Sequence, residues 1–93
     1  MKMVYEYYIY VIELDNPMTV YVGQTYLTPE ERFLQHKEGY KSSKYVKKAK
    51  NPKLRPELYL HIAPFSKRSD ALAKESNYAD ELREKGYKVL GGH

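Results

Sequence analysis

The sequence predicts a mixed α/β domain built on a small sheet that opens in an antiparallel hairpin, with elements in the order β-β-α-(α)-β-α-(β). Three observations carry this. Residues 4–14 are dense in Tyr, Val and Ile, which suit a half-buried pleated surface, and "DNP" at 15–17 marks a turn before a second such run at 18–22. "LTPEERFLQHKEG" opens with the chemistry that starts a helix. Later, Ala71, Leu72, Tyr78, Ala79 and Leu82 recur at helical spacing and make one apolar stripe.

Side chains alternate across a strand. With Ile9 and Val11 on one side of the first strand, Tyr8 and Tyr10 take the other. With Val20 and Val22 toward the core, Tyr21 points away from it, so Tyr10 and Tyr21 can share one face of the sheet. The first helix runs over residues 29–38. Thr28 is its N-cap, Pro29 fills the first position, Glu31 completes a capping box and Gly39 stops it. Arg32 and His36, four apart, lie on one face of it. "YKSSKYVKKAKNP" suggests a short helix capped at Ser42 or Ser43 and ended by Pro52. "LRPELYLHIAPF" alternates Leu58, Leu60 and Ile62 against Tyr59 and His61 and reads as a third strand with an irregular entry at Pro56. The long helix is expected to be capped at Ser69 and stopped by Gly86, with residues 87–90 as a short last strand and "GGH" as a loose tail.

At 93 residues the chain is expected to form one domain over 1–93. Apolar residues at 42% and charged residues at 30% fit a soluble globular protein. Cysteine is absent, which excludes disulfides and thiolate metal sites. The N-terminus lacks a signal-peptide pattern, and no apolar run approaches the ~20 residues of a membrane span. A cytoplasmic protein without membrane association is the expectation. The net charge of +4 is unevenly spread, because residues 37–56 hold eight basic residues against Glu38 alone. Such a patch is either a footprint for phosphate backbone or a solvated, lysine-rich connector.

Glu75 falls inside the apolar stripe of the long helix. A carboxylate facing a core is costly unless paired or bound to a metal. It either reaches water or Arg32 from the stripe's edge, or it marks a site. His36 is either a solvated surface histidine or a partner of Arg32. Cys/His zinc spacing, a glycine-rich phosphate loop and a supported Ser-His-Asp set are all missing.

Taken together, "YIY" at 8–10, "YVG" at 21–23, "ERFLQH" at 31–36 and "ALAKES" at 71–76 resemble, in order and spacing, the GIY-YIG nuclease family. The resemblance spans about residues 5–90. It implies a central three-stranded antiparallel sheet flanked by helices, and cleavage of phosphodiester bonds with one divalent cation, Mg²⁺ or Mn²⁺. It makes Glu75 the metal ligand and Arg32 the phosphate contact. Tyr10 and Tyr21 become the motif tyrosines, one of which positions or deprotonates water, and His36 a candidate proton acceptor or relay. Tyr8 stands where the family has its first glycine, and Lys88 where it often has a C-terminal asparagine.

The residues suit that chemistry. One carboxylate fits one Mg²⁺, which keeps most of its waters, and does not fit a two-metal site. Arg32 offers a forked donor to phosphate oxygens. The base stays open between Tyr10, Tyr21 and His36, since an ordinary tyrosine titrates near 10 and histidine near 6.5. Lys41, Lys44, Lys47, Lys48 and Lys50 can hold nucleic-acid backbone, DNA ahead of RNA, without reading sequence. Tyr40 and Tyr45 either stack on unpaired bases or pack. Two rivals stand beside the endonuclease: a catalytically weak nucleic-acid-binding module of the same fold, and a small interaction domain for an acidic protein.

Overall fold

In the computed structural model, which describes residues 5–91, strand β1 (Tyr8–Glu13) pairs antiparallel with β2 (Thr19–Thr25). Asn16 closes the turn between them: its side chain accepts from the Met18 amide at 2.9 Å and its carbonyl from the Thr19 amide at 3.1 Å. Helix α1 (Pro29–Glu38) carries the expected capping box, with Thr28 Oγ1 accepting from the Glu31 amide and the Glu31 carboxylate from the Thr28 amide, both at 3.1 Å. Gly39 ends α1 in the left-handed conformation at φ 86°, which glycine adopts without a Cβ clash. Of the two candidate caps for the next helix, Ser43 caps α2 (Lys44–Lys48), accepting from the Tyr45 amide. Strand β3 (Lys53–Leu54), a 3-10 turn at Pro56–Leu58, helix α3 (Arg68–Glu84) and strand β4 (Lys88–Gly91) follow. Val4 of the expected first strand and residues 92–93 of the expected loose tail lie outside the described residues, while Gly91, expected in that tail, ends β4.

The sheet order is β3-β1-β2-β4. Strand β1 pairs antiparallel with both β2 and β3, as expected of the three-stranded core, while β4 pairs parallel with β2 and makes the sheet mixed. Val11 and Ile12 point to opposite faces and are both fully buried, so β1 is covered on both sides.

Three sequence expectations give way. The strand expected over residues 58–62 is a 3-10 turn and loop, and the true β3 is only Lys53–Leu54, ahead of Pro56. The alternation was coincidental: Leu60 is exposed, while Tyr59, assigned to the polar side, is buried. Pro56 opens the 3-10 turn with its fixed φ and takes the chain off the sheet. The α3 cap is Lys67, without a side-chain hydrogen bond, and Ser69 lies inside the first turn. Leu72 is exposed, and the buried stripe is Ala71, Glu75, Tyr78, Ala79 and Leu82.

Candidate active site

The β1–β2 register places Tyr10 opposite Gly23 and Ile12 opposite Tyr21. Residues directly opposed share a face, so Tyr10 and Tyr21 are diagonal neighbours, their ring centroids 6.3 Å apart. Each tyrosine lies against a glycine. A Cβ on Gly23 would come within 2.5 Å of Tyr10 Oη, and one on Gly91 within 2.5 Å of the Tyr21 ring. Gly91 also has φ 75°, strained for any other residue. Gly23→Ala should therefore push the Tyr10 ring out of place. The expected cost is about 1–3 kcal/mol, the range for overpacking a filled core, read as a lowered urea midpoint. An unchanged midpoint would show that Tyr10 has room to move.

Helix α1 brings His36 to Tyr10, and the loop before α2 brings Ser43 to His36. The imidazole Nε2 lies 2.9 Å from Tyr10 Oη, and the Ser43 amide donates to Nδ1 at 3.2 Å. An amide can only donate, so Nδ1 carries no proton. The neutral ring then holds its proton on Nε2 and donates it to the Tyr10 oxygen. Burial first, and the Arg32 charge second, push the histidine down from 6.5 to about 4. His36 is 1% exposed, so the solvated surface histidine is not what forms.

A stability consequence follows. Because the folded pKa is depressed below 6.5, the unfolded chain takes up the proton more readily. Stability present above that value is lost as pH falls toward about 4, with about 2 kcal/mol going between pH 7 and pH 5. Denaturation of wild type and His36→Gln at both pH values isolates this contribution from the carboxylates they share. Equal losses in the two proteins would show that His36 titrates normally.

With its oxygen accepting from His36, Tyr10 keeps its own hydroxyl proton to donate. Burial first, and the Glu75 charge, hold Tyr21 above its ordinary value, against the Ser43 hydroxyl, the Arg32 charge and the neighbouring Tyr10, which lower it. Tyr10 is raised as well, by burial first and then by the Tyr21 charge. Tyr21 is half-buried and Tyr10 only 2% exposed. Of the two, Tyr21 is the one that reaches solvent.

Arg32 acts on all three rings electrostatically. Its guanidinium also ties down the loop after α1, donating from Nη1 to Gln35 Oε1 at 2.9 Å and the Tyr40 carbonyl at 3.2 Å, and from Nη2 to the Lys41 carbonyl at 2.7 Å. Lys41, held there, has φ 45°, uncommon for a residue with a side chain.

Glu75 is 7% exposed on the buried stripe of α3, and its charge raises both Tyr10 and Tyr21. The fold thus brings Tyr10, Tyr21, Arg32, His36 and Glu75, from three distant parts of the chain, within electrostatic reach of one another. Among the described residues no group of three or more His, Cys, Asp or Glu side chains is placed to hold a metal. A lone carboxylate of this kind fits one hydrated hard cation and nothing that needs an all-protein cage.

The basic segment is less unified than its sequence. Lys53 and Arg55 are tied to Glu13 at 3.6 and 3.0 Å, and Arg55 also to Glu57 at 2.5 Å. Lys41, Lys44, Lys47, Lys48 and Lys50 are all exposed but do not converge: Lys41 shares a cleft with Arg32, Lys47 lines one beside His36, and Lys48 lines a third with Lys88. Lys88 pairs with Thr19, two positions along β2 from Tyr21. Ser43, Gly23 and Gly91 went unnoticed as site residues in the sequence. Gly23 lies within "YVG", but only the strand register shows what it makes room for.

Searches of curated proteins and of solved structures return no significant match. The family model for the GIY-YIG catalytic domain matches residues 6–88, a span holding both tyrosines, the α1 arginine and histidine and the α3 glutamate, and the chain belongs to the GIY-YIG nuclease family.

Proposed function

We propose that this protein is a metal-dependent endonuclease that hydrolyses phosphodiester bonds in DNA, by structure or without specificity. The observation that carries the reading is the meeting of Tyr10, Tyr21, Arg32, His36 and Glu75 at one place, Tyr10 and His36 joined by a hydrogen bond and the group coupled by charge. Tyr21, the tyrosine that reaches solvent, orients the attacking water; it takes the water's proton only as a phenolate, the form that Arg32 and a bound cation would favour against burial. Tyr10 packs beside Tyr21 and is itself held by His36, which acts as a positioning residue rather than as the base. Arg32 offsets charge on the phosphate oxygens as water adds to phosphorus and the bond to the leaving sugar oxygen breaks. Glu75 would hold a single Mg²⁺ or Mn²⁺, which when bound supplies Lewis-acid stabilisation of the phosphoryl oxygens. The exposed lysines of α2 and its flanks attract backbone by charge alone.

The test is cleavage of branched, nicked and single-stranded DNA in Mg²⁺ by wild type and Glu75→Gln. Turnover of at least one substrate by wild type is expected, and none by either protein would sink the reading. A second reading, a binding module with little turnover, draws on Lys88 at the position where the family often has asparagine. It requires salt-sensitive DNA binding without cleavage, so robust wild-type turnover removes it.

A further inference from the structure

Beside Arg32 lies a cleft of about 510 Å³ whose walls include Gln24, Tyr26, Arg32, Tyr40, Lys41 and Arg68. The volume falls within the ~300–1,000 Å³ typical of small-molecule sites. Three cations from separate segments converge on it: Arg32 on α1, Lys41 on the following loop and Arg68 at the start of α3. Among the described residues Arg68, which is exposed, has no hydrogen bond or ion pair, so its guanidinium is available to a ligand.

The aromatic residues at this cleft are unusually open. Tyr26 is 59% exposed and Tyr40 56%. Tyr5, 55% exposed, packs edge-on against Tyr26 with ring centroids 5.5 Å apart. Lys41 Nζ lies 5.7 Å from the centre of the Tyr40 ring. A single exposed tyrosine needs no explanation, but two at one cation-lined cleft, with a third packed on one of them, are what a surface for unpaired bases is made of: ring faces for stacking and charges for the backbone. Gln24 adds a polar group, its Oε1 buried without a hydrogen-bond partner among the described residues. Such an orphan amide can turn to meet the edge of a base.

The location relates the cleft to the cleavage site. Arg32 belongs to both. Arg68 stands seven residues before Glu75 on α3, hence on the same helix face, about 10 Å along the axis. A strand with its cleaved phosphate at Glu75 and Arg32 would run past Arg68. A base within a duplex has both faces covered by its neighbours and cannot stack on protein, so the occupant must be unpaired.

We infer that this cleft is a subsite for an unpaired nucleotide flanking the cleaved bond, its base stacked on Tyr26 and Tyr40 and its phosphate held by Arg68 and Lys41. The inference deepens the nuclease reading and rests on it for the position of the cut. The test is binding in EDTA, where no cleavage occurs, to strands carrying 2-aminopurine in an unpaired segment or in a full duplex, made as DNA and as RNA. Wild type is expected to change the fluorescence of the unpaired probe and to bind it more tightly than the duplex; whichever strand type responds identifies the sugar accepted. Tyr26→Ala with Tyr40→Ala should weaken binding of the unpaired probe about tenfold or more and abolish the fluorescence change. Arg68→Gln should lower the slope of log affinity against log salt by about one. These side chains are exposed, and circular dichroism checks that the variants fold. Equal affinity of wild type and the double variant for the unpaired probe overturns the subsite, as does wild type that cleaves DNA yet leaves the probe unchanged. Wild type that stacks the probe but cleaves nothing upholds the subsite and sinks the nuclease reading.

Discussion

Glu75→Gln is expected to remove DNA cleavage by about a thousandfold or more while leaving the fold and DNA binding in place. Glutamine keeps the shape and a hydrogen-bonding end but loses the charge. That charge is 7% exposed at the tyrosine pair, where attraction for a divalent cation is least diluted by water. Charge stabilisation by a catalytic metal contributes several kcal/mol, and each 1.4 kcal/mol is about tenfold in rate. Initial rates over a Mg²⁺ series, with anisotropy for binding and circular dichroism for folding, separate the possibilities. A variant that cleaves within tenfold of wild type would remove Glu75 from the reaction.

A second large effect distinguishes the two tyrosines. Tyr21→Phe should cut the rate by about 10²–10⁴-fold, the usual contribution of a positioned proton acceptor, with little change in stability because the residue is only half-buried. Tyr10→Phe should do the reverse. It leaves the His36 Nε2 proton buried with no acceptor, which costs about 1–3 kcal/mol, and it lowers the rate mainly by withdrawing support from Tyr21. Rates and thermal melts on both variants give the comparison. If Tyr10→Phe proves the slower enzyme and keeps wild-type stability, the proton passes through Tyr10 instead.

Some of this was readable without coordinates because the forces are local. Thr28, Pro29, Glu31 and Gly39 set both ends of α1 within a dozen residues, and nothing elsewhere in the chain overrules them. Asn16 and the flanking β-rich runs did the same for the hairpin. Where burial depends on remote neighbours, the pattern misled. Leu60 looked like core and is 72% exposed, while Tyr59 looked peripheral and is 2% exposed, since the 3-10 turn at Pro56 reorients that stretch. Leu72 was misjudged in the same way, being apolar and correctly spaced but not covered by a partner.

For the site, residue types and their order were legible: two tyrosines on one strand face, Arg32 and His36 one helical turn apart, and a carboxylate in an apolar stripe. Their membership in one family follows from that order. What the linear chain could not express were the relations among them. The sheet register lays Tyr10 on Gly23, and the loop before α2 returns the Ser43 amide to His36. That one amide, donating to one ring nitrogen, determines the tautomer and hence which way the hydrogen bond between His36 and Tyr10 runs. The sequence by itself determined which groups are present and the local structure of the elements that carry them. Only the tertiary structure decided which atoms meet and how much water they see, because hydrogen-bond direction and desolvation belong to contacts between segments far apart in the chain.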